Sequence, residues 1–233
     1  MPEEKEVEKP SYIDHRQRVK TRFEKTGFHG FHDYEVLEFL LYFALPRKDT
    51  KKIAKRLLER FGNITGVLHA DRKEMEEIEG IGPHAAFFLQ AMGGMIGFYF
   101  DEKARKGDIS FGNMEQLVDY FRATIGGSPN EVMRILYLNS KNNLLYEENL
   151  SEGTVSEAVA FPRRIVEGAL KYRATSVIIA HNHPGGLPEP SENDDVITQQ
   201  VKAALKMVNI GLQEHLIVAP EGYYSYRRHG LLD

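Results

Sequence analysis

Apolar positions change their spacing about halfway along the chain. In residues 50–62 (TKKIAKRLLERFG), Ile53, Ala54, Leu57, Leu58 and Phe61 recur at helical spacing, while Lys51, Lys52, Lys55, Arg56 and Arg60 fill the other face. Asp49 or Thr50 stands where a helix cap belongs, and Gly62 where a helix stops. Upstream, Val36, Leu37, Phe39, Leu40, Leu41 and Phe43 predict a buried helix that Pro46 ends. Residues 36–45 form the most apolar run, which contains Glu38 and is too short to span a bilayer. The pattern stays helical from about residue 14 to residue 100.

Residues 76–92 (EEIEGIGPHAAFFLQAM) predict a helix running into Gly80-Ile81-Gly82, then a second helix starting near Pro83, a favoured first helical residue. Two helices joined by such a turn have the pattern of a helix-hairpin-helix, whose glycines let backbone N–H groups approach a nucleic-acid phosphate. Gly80, Ile81 and Gly82, with Lys51, Lys52 and Lys55 on the basic helix before them, are therefore candidate DNA contacts. Close packing of two helices demands glycine equally, and Glu76, Glu77 and Glu79 beside the turn favour that reading. The charged stretch DEKARKGD, residues 101–108, reads as a linker between an all-helical domain (1–106) and a second domain (107–233). In the second domain, strands alternate with helices. The expected strands cover 131–140, the return strand LLYEENLSEGT, 175–183 and 213–226; the helices cover 114–125, 161–173 and 194–208. That alternation argues an α/β fold.

Composition narrows the chemistry. The 233 residues are 42% apolar and 27% charged, ordinary for one large or two small soluble domains. No cysteine is present, so disulfides, thiolate ligands and cysteine nucleophiles are excluded, and a transition-metal site must use His, Asp or Glu. The net charge of −4 conceals an asymmetry: residues 16–60 hold 12 basic and 6 acidic groups, residues 108–233 hold 11 and 16. A basic front and an acidic back suit two different partners, or simply solvated helix faces. The opening MPEEKEVEKP reads as a disordered leader without the apolar core of a secretory signal, so a cytoplasmic protein away from the membrane is expected.

The string VIIAHNHPGGLPEPSENDD, residues 177–195, carries the chemistry. An apolar run delivers the chain to a sheet edge, where residues two apart project from one face, so His181 and His183 point together and Asn182 points away. Two imidazole nitrogens so placed suit a shared ion at about 2.0–2.1 Å. A turn-rich loop follows, then Ser191 as a natural helix cap and Asp194 in the first helical turn, able to fold back as a third, carboxylate ligand. Two His and one carboxylate leave a tetrahedral position open, as catalytic Zn²⁺ requires, for a water whose pKa falls toward 7.

His181-x-His183-x7-Ser191-x2-Asp194 resembles the JAMM motif of MPN/JAB metallopeptidase domains, and HNHPGGLPEPS resembles its version in bacterial RadC proteins. LLYFALPRKDTKKIAKRLLERFG and the GIG hairpin resemble the RadC N-terminal region, so the similarity covers nearly the whole chain. It implies an MPN/JAB-like mixed sheet flanked by helices behind a small all-α domain. It also implies zinc held by His181, His183 and Asp194, with Ser191 steadying the tetrahedral intermediate. An upstream Glu relays protons in that family; Glu131 matches its place, with Glu152 as the runner-up. Phe161, Asn139 and Glu214 stand where many relatives carry His, Asp and Asp, and none of the three is a proposed ligand. His215 is expected to be strand-end packing.

Three functions compete. Zinc-dependent cleavage of a peptide or isopeptide amide follows from the ligand set and, for the amide, from the resemblance. A DNA-associated repair module with the rear domain as scaffold is the alternative. A metal-dependent nuclease fits poorly, because one zinc with one carboxylate lacks the carboxylate-rich two-metal site of that chemistry. Substrate and oligomeric state are not written in the sequence.

Overall fold

The computed structural model describes residues 11–151, 161–184 and 186–232. The predicted leader, Glu152 and the end of the return strand lie outside the described residues. The chain divides into two compact units, Met1–Met92 and Gly93–Asp233.

The first unit is helical: α1 (Ser11–Thr26), α2 (Asp33–Ala44), α3 (Lys51–Phe61), α4 (Ile64–His69), α5 (Arg72–Glu76) and the start of α6 (Pro83–Lys106). Leu37, Leu41 and Ala44 of α2 lie on one stripe and pack with Ile53, Ala54 and Leu57 of α3, then with Val67, Met75, Ala86 and Leu89. Asp49 Oδ1 accepts the N–H of Lys51 at 3.1 Å, and Gly62 at φ +83° ends α3 in a backbone conformation that favours glycine. Glu38, the one acid of the apolar run, is buried and holds His15 Nε2 and the Tyr42 hydroxyl, each at 3.0 Å.

The polar stretch expected to be a linker is instead helical as far as Lys106. Its charges stabilise the helix end: Lys106 pairs with Glu102 at 2.6 Å, and Lys103, Arg105 and Lys106 face the negative end of the helix dipole. Ala104 is buried among them, and Asp101 accepts from Tyr120 and Arg134, both at 3.1 Å. Gly107, at φ +79°, follows.

The second unit is an α/β layer structure. After α7 (Met114–Thr124) come β1 (Val132–Leu138), β2 (Leu144–Ser151), α8 (Phe161–Lys171), β3 (Ser176–Asn182), α9 (Glu192–Lys206), β4 (Gly211–Ala219) and β5 (Gly222–Ser225). The sheet order is β2-β1-β3-β4-β5, with β3 and β4 parallel and the other neighbours antiparallel. The expected strand at 213–226 is therefore a hairpin of two. Side chains alternate between faces. Ile135, Tyr137, Val177, Ile179 and Ile217 pack with α8 and α9, whereas Leu136, Leu138, Ile178, Ala180, Leu216 and Val218 pack with α7. The parallel pair requires a crossover, and α9 supplies it, so its first turn starts beside the end of β3. Among the described residues, no helix is long and apolar enough to cross a membrane.

Candidate metal centre

The site grows from the sheet's strand directions. β1 runs antiparallel to β3, so the start of one lies beside the end of the other, and Met133 pairs with His181. Glu131, just before β1, thereby comes to the edge where β3 delivers its histidines. Its carboxylate lies 3.8 Å from His181 Nε2, and Glu131, His181 and His183 each offer an atom within 4.8 Å of the other two. His181 is fully buried, and its Nε2 lies 3.1 Å from Nε2 of His183.

Asp194 arrives from α9. Ser191 caps this helix: its hydroxyl oxygen accepts the Asp194 N–H at 3.2 Å, and Asp194 Oδ2 accepts the Ser191 N–H at 2.8 Å. The Ser191 hydroxyl also donates to Asp194 Oδ2 at 2.6 Å. That reciprocal cap aims Oδ1 at His181 Nε2, 3.3 Å away, while Oδ2 lies 3.9 Å from His183 Nε2. Burial works to raise the Asp194 carboxyl, but the His181 ring and the Ser191 donors outweigh it and hold the group well below the usual carboxylate range. The positive end of α9 favours the same ionised form.

The proton inventory fits a cation. His183 Nδ1 lies 3.0 Å from the carbonyl oxygen of Leu187; a carbonyl only accepts, so Nδ1 carries the proton and Nε2 is bare when the ring is neutral. Tetrahedral ligands about 2.0–2.1 Å from zinc stand about 3.3–3.5 Å apart. The two Nε2 atoms lie 3.1 Å apart and Asp194 Oδ1 lies 3.3 Å from that of His181, close to this spacing, while the other oxygen, Oδ2, is the one 3.9 Å from His183 Nε2. Glu131, His181 and His183, with Asp194 beside them, thus offer imidazole nitrogens and carboxylate oxygens that could hold a metal ion.

His215, Thr198 and Asn182 hold the site from behind, in roles that the sequence pattern does not predict. His215 lies within β4, fully buried, with Nε2 3.0 Å from His181 Nδ1 and Nδ1 2.6 Å from the Thr198 hydroxyl. Its expected role as strand-end packing is too weak a description. Burial chiefly, helped by the nearby His181, holds its pKa well below the ordinary value, so its ring is neutral. Asn182 points to the opposite face, as alternation predicts, and its amide donates to the carbonyls of Ser128 and Asn130 at 3.1 Å while accepting the Val132 N–H at 2.7 Å. It clamps the segment that carries Glu131.

In the first unit, Gly80 has φ +101°, and a Cβ there would stand 2.7 Å from Ile53 Cδ1, so the turn's first glycine serves helix packing. Ile81 is buried in the core and its N–H goes to the carbonyl of Ile78 at 2.9 Å. Lys51, Lys52 and Lys55 are exposed, and Lys51 and Lys55 lie over the Tyr34 ring at 5.6 and 5.1 Å.

The RadC-like JAB domain family matches residues 111–231. Over 224 residues the chain is 33% identical to the UPF0758 protein FN0909 of Fusobacterium nucleatum, a match that covers 94% of this chain and 97% of that relative.

Proposed function

The chain belongs to the RadC family, and from that premise we propose that it is a zinc-dependent hydrolase of the JAMM metallopeptidase type, cleaving a peptide or isopeptide amide. The observation that carries the reading is the approach of two imidazole Nε2 atoms, 3.1 Å apart, with Asp194 Oδ1 3.3 Å and the Glu131 carboxylate 3.8 Å from that of His181. His181, His183 and Asp194 would hold the ion. When bound, zinc would lower the pKa of a water toward about 7 and polarise the scissile carbonyl.

The protein's own groups supply the rest. Glu131 takes a proton from the attacking water and returns it to the leaving amine. Asn182 holds the strand start that fixes where Glu131 stands. Ser191 turns its hydroxyl, now on Asp194, toward the oxyanion that develops on the substrate carbonyl.

Elemental analysis tests this reading. Wild-type chain is expected to carry about one zinc, His181→Ala none, and Glu131→Gln one zinc without turnover of any substrate the wild type cleaves. A wild-type chain that takes up no zinc at neutral pH would falsify it.

The exposed Lys51, Lys52 and Lys55, two of them over the Tyr34 ring, support a second, compatible proposal: the first unit touches nucleic acid through phosphates. Retention on DNA is then expected to weaken steeply with salt, and replacing the three lysines should lower the slope of log affinity against log salt by about 0.9 per lost contact. Unchanged retention in the triple variant would rule those side chains out.

A further inference from the structure

With the His181 and His215 rings both neutral, the hydrogen-bond chain behind His181 has one direction. Thr198 Oγ1 lies 2.5 Å from the backbone carbonyl of Asp194, which can only accept, so the single hydroxyl proton is committed there. Towards His215 Nδ1, at 2.6 Å, the same oxygen must therefore accept, and Nδ1 carries the His215 proton. A neutral ring has one N–H, which leaves His215 Nε2 as a lone pair facing His181 Nδ1 at 3.0 Å. His181 Nδ1 then donates, and its Nε2 is bare, turned toward His183 and Asp194.

We propose that His215 is a positioning residue that locks His181 into the Nδ1–H tautomer and so reserves Nε2 for the metal, with Thr198 as the anchor that sets the direction of the chain. The inference rests on the zinc reading above and names a residue and an anchor beyond the ligand set. A neutral imidazole without such a partner populates both tautomers, and only one of them can ligate through Nε2.

The surroundings hold the relay in place. The His215 ring stacks on Tyr226, with centroids 4.6 Å apart and planes 5° from parallel, and Tyr226 donates to Asp195 Oδ1 at 2.7 Å. The backbone N–H of His215 donates to Glu214 Oε1 at 2.8 Å, and Glu214 also accepts from the Ser225 hydroxyl at 2.7 Å and the backbone N–H of Arg227 at 3.2 Å. The buried Glu214 thus pins β4 and the turn after β5 around the ring. The chain also ends on the backbone of Asp194, so ligands on β3 and α9 are coupled through β4.

The test uses full-length chain with zinc alone, titrated against a competing chelator, together with long-range ¹H–¹⁵N spectra of the metal-free protein. His215→Leu is expected to weaken zinc binding by about 10–100-fold, the usual effect of removing an outer hydrogen-bond partner. His215→Gln should recover most of that loss, because its amide oxygen can accept from His181 and its NH₂ can donate to Thr198. Thr198→Val should weaken binding in the same direction by a smaller factor. The spectra should show His181 as Nδ1–H in wild type and His215→Gln, and as a mixture in His215→Leu. Wild-type affinity in both His215→Leu and Thr198→Val, or an Nε2–H tautomer of His181 in the wild type, overturns the proposal. If His215→Leu does not fold, the Gln and Val variants decide. A wild type without zinc affinity overturns the hydrolase reading instead, and the tautomer readout still decides the role of His215.

Discussion

Asn182 sits between the two motif histidines, and its neighbours fix what can replace it. It is fully buried, and its amide is used on three backbone groups of the 128–132 segment. Truncation to Ala strands those groups without water, a cost of about 1–3 kcal/mol for each one left unsatisfied. Asn182→Asp is expected to be worse, although it is nearly isosteric, because a carboxylate oxygen would face the Ser128 and Asn130 carbonyls in place of the NH₂. Urea unfolding of the two variants checks the order; an Asp variant as stable as wild type would refute the clamp. At this scale the sequence was legible where contacts are local. The pairing of His181 with His183 follows from strand alternation, and Ser191 with Asp194 from a capping box three residues long. Asn182, Thr198 and His215 act across 54, 17 and 34 residues, respectively, and nothing in a linear pattern announces a partner so far away.

Gly168 of α8 shows how an element's sequence answers to its neighbours. A Cβ there would stand 2.2 Å from the Tyr137 hydroxyl oxygen and 2.5 Å from Cζ of the same ring, so the glycine lets α8 close on β1. Gly168→Ala gains about 1 kcal/mol of helix propensity, but overpacking against a fully buried tyrosine costs about 1–3 kcal/mol. A net loss of stability is expected in denaturant unfolding, and Tyr137→Phe should not rescue it, since Cζ itself is in the way. A more stable Ala variant would mean that α8 can move off the sheet freely. At the end of α4, burial lowers the pKa of His69 from its ordinary 6.5. The unfolded chain then binds the proton more readily, so the fold loses stability as pH drops below about 6.5 and is unaffected above it. Replacing His69 with Gln should flatten the melting temperature between pH 7 and 5; an equally steep profile would place the sensitivity elsewhere. Most element types were readable from periodicity, but the helix expected to run into Gly80 stops at Glu76 and most element ends were not readable. DEKARKGD looks like a linker by polarity alone, whereas Ala104 and Asp101 anchor its first turns as helix. The break between β4 and β5 follows from the strand pairing of Ala219 with Gly222, which apolar content does not reveal.

On the scale of the molecule, each compact unit has its own apolar core. The helical one is built around Leu37, Leu57, Met75 and Leu89, and the other lies on the two faces of the sheet. All the proposed metal ligands lie in Gly93–Asp233, so zinc should act on that unit alone. A ligand that binds only the folded state stabilises it by RT ln(1 + [L]/Kd), about 2.7 kcal/mol at a hundredfold excess over Kd. For a unit of this size that amounts to several degrees of melting temperature. Calorimetry of the full chain is expected to resolve two transitions, because units with separate cores need not melt together. Added zinc should raise one and leave the other in place, and His181→Ala should abolish the shift while keeping both transitions. Chelator should reverse the effect without changing the helical unit's midpoint. A single transition that zinc moves as a whole would mean that the two cores melt as one cooperative body, and the helical unit could then no longer be treated as an independent carrier of the basic surface around Lys51, Lys52 and Lys55.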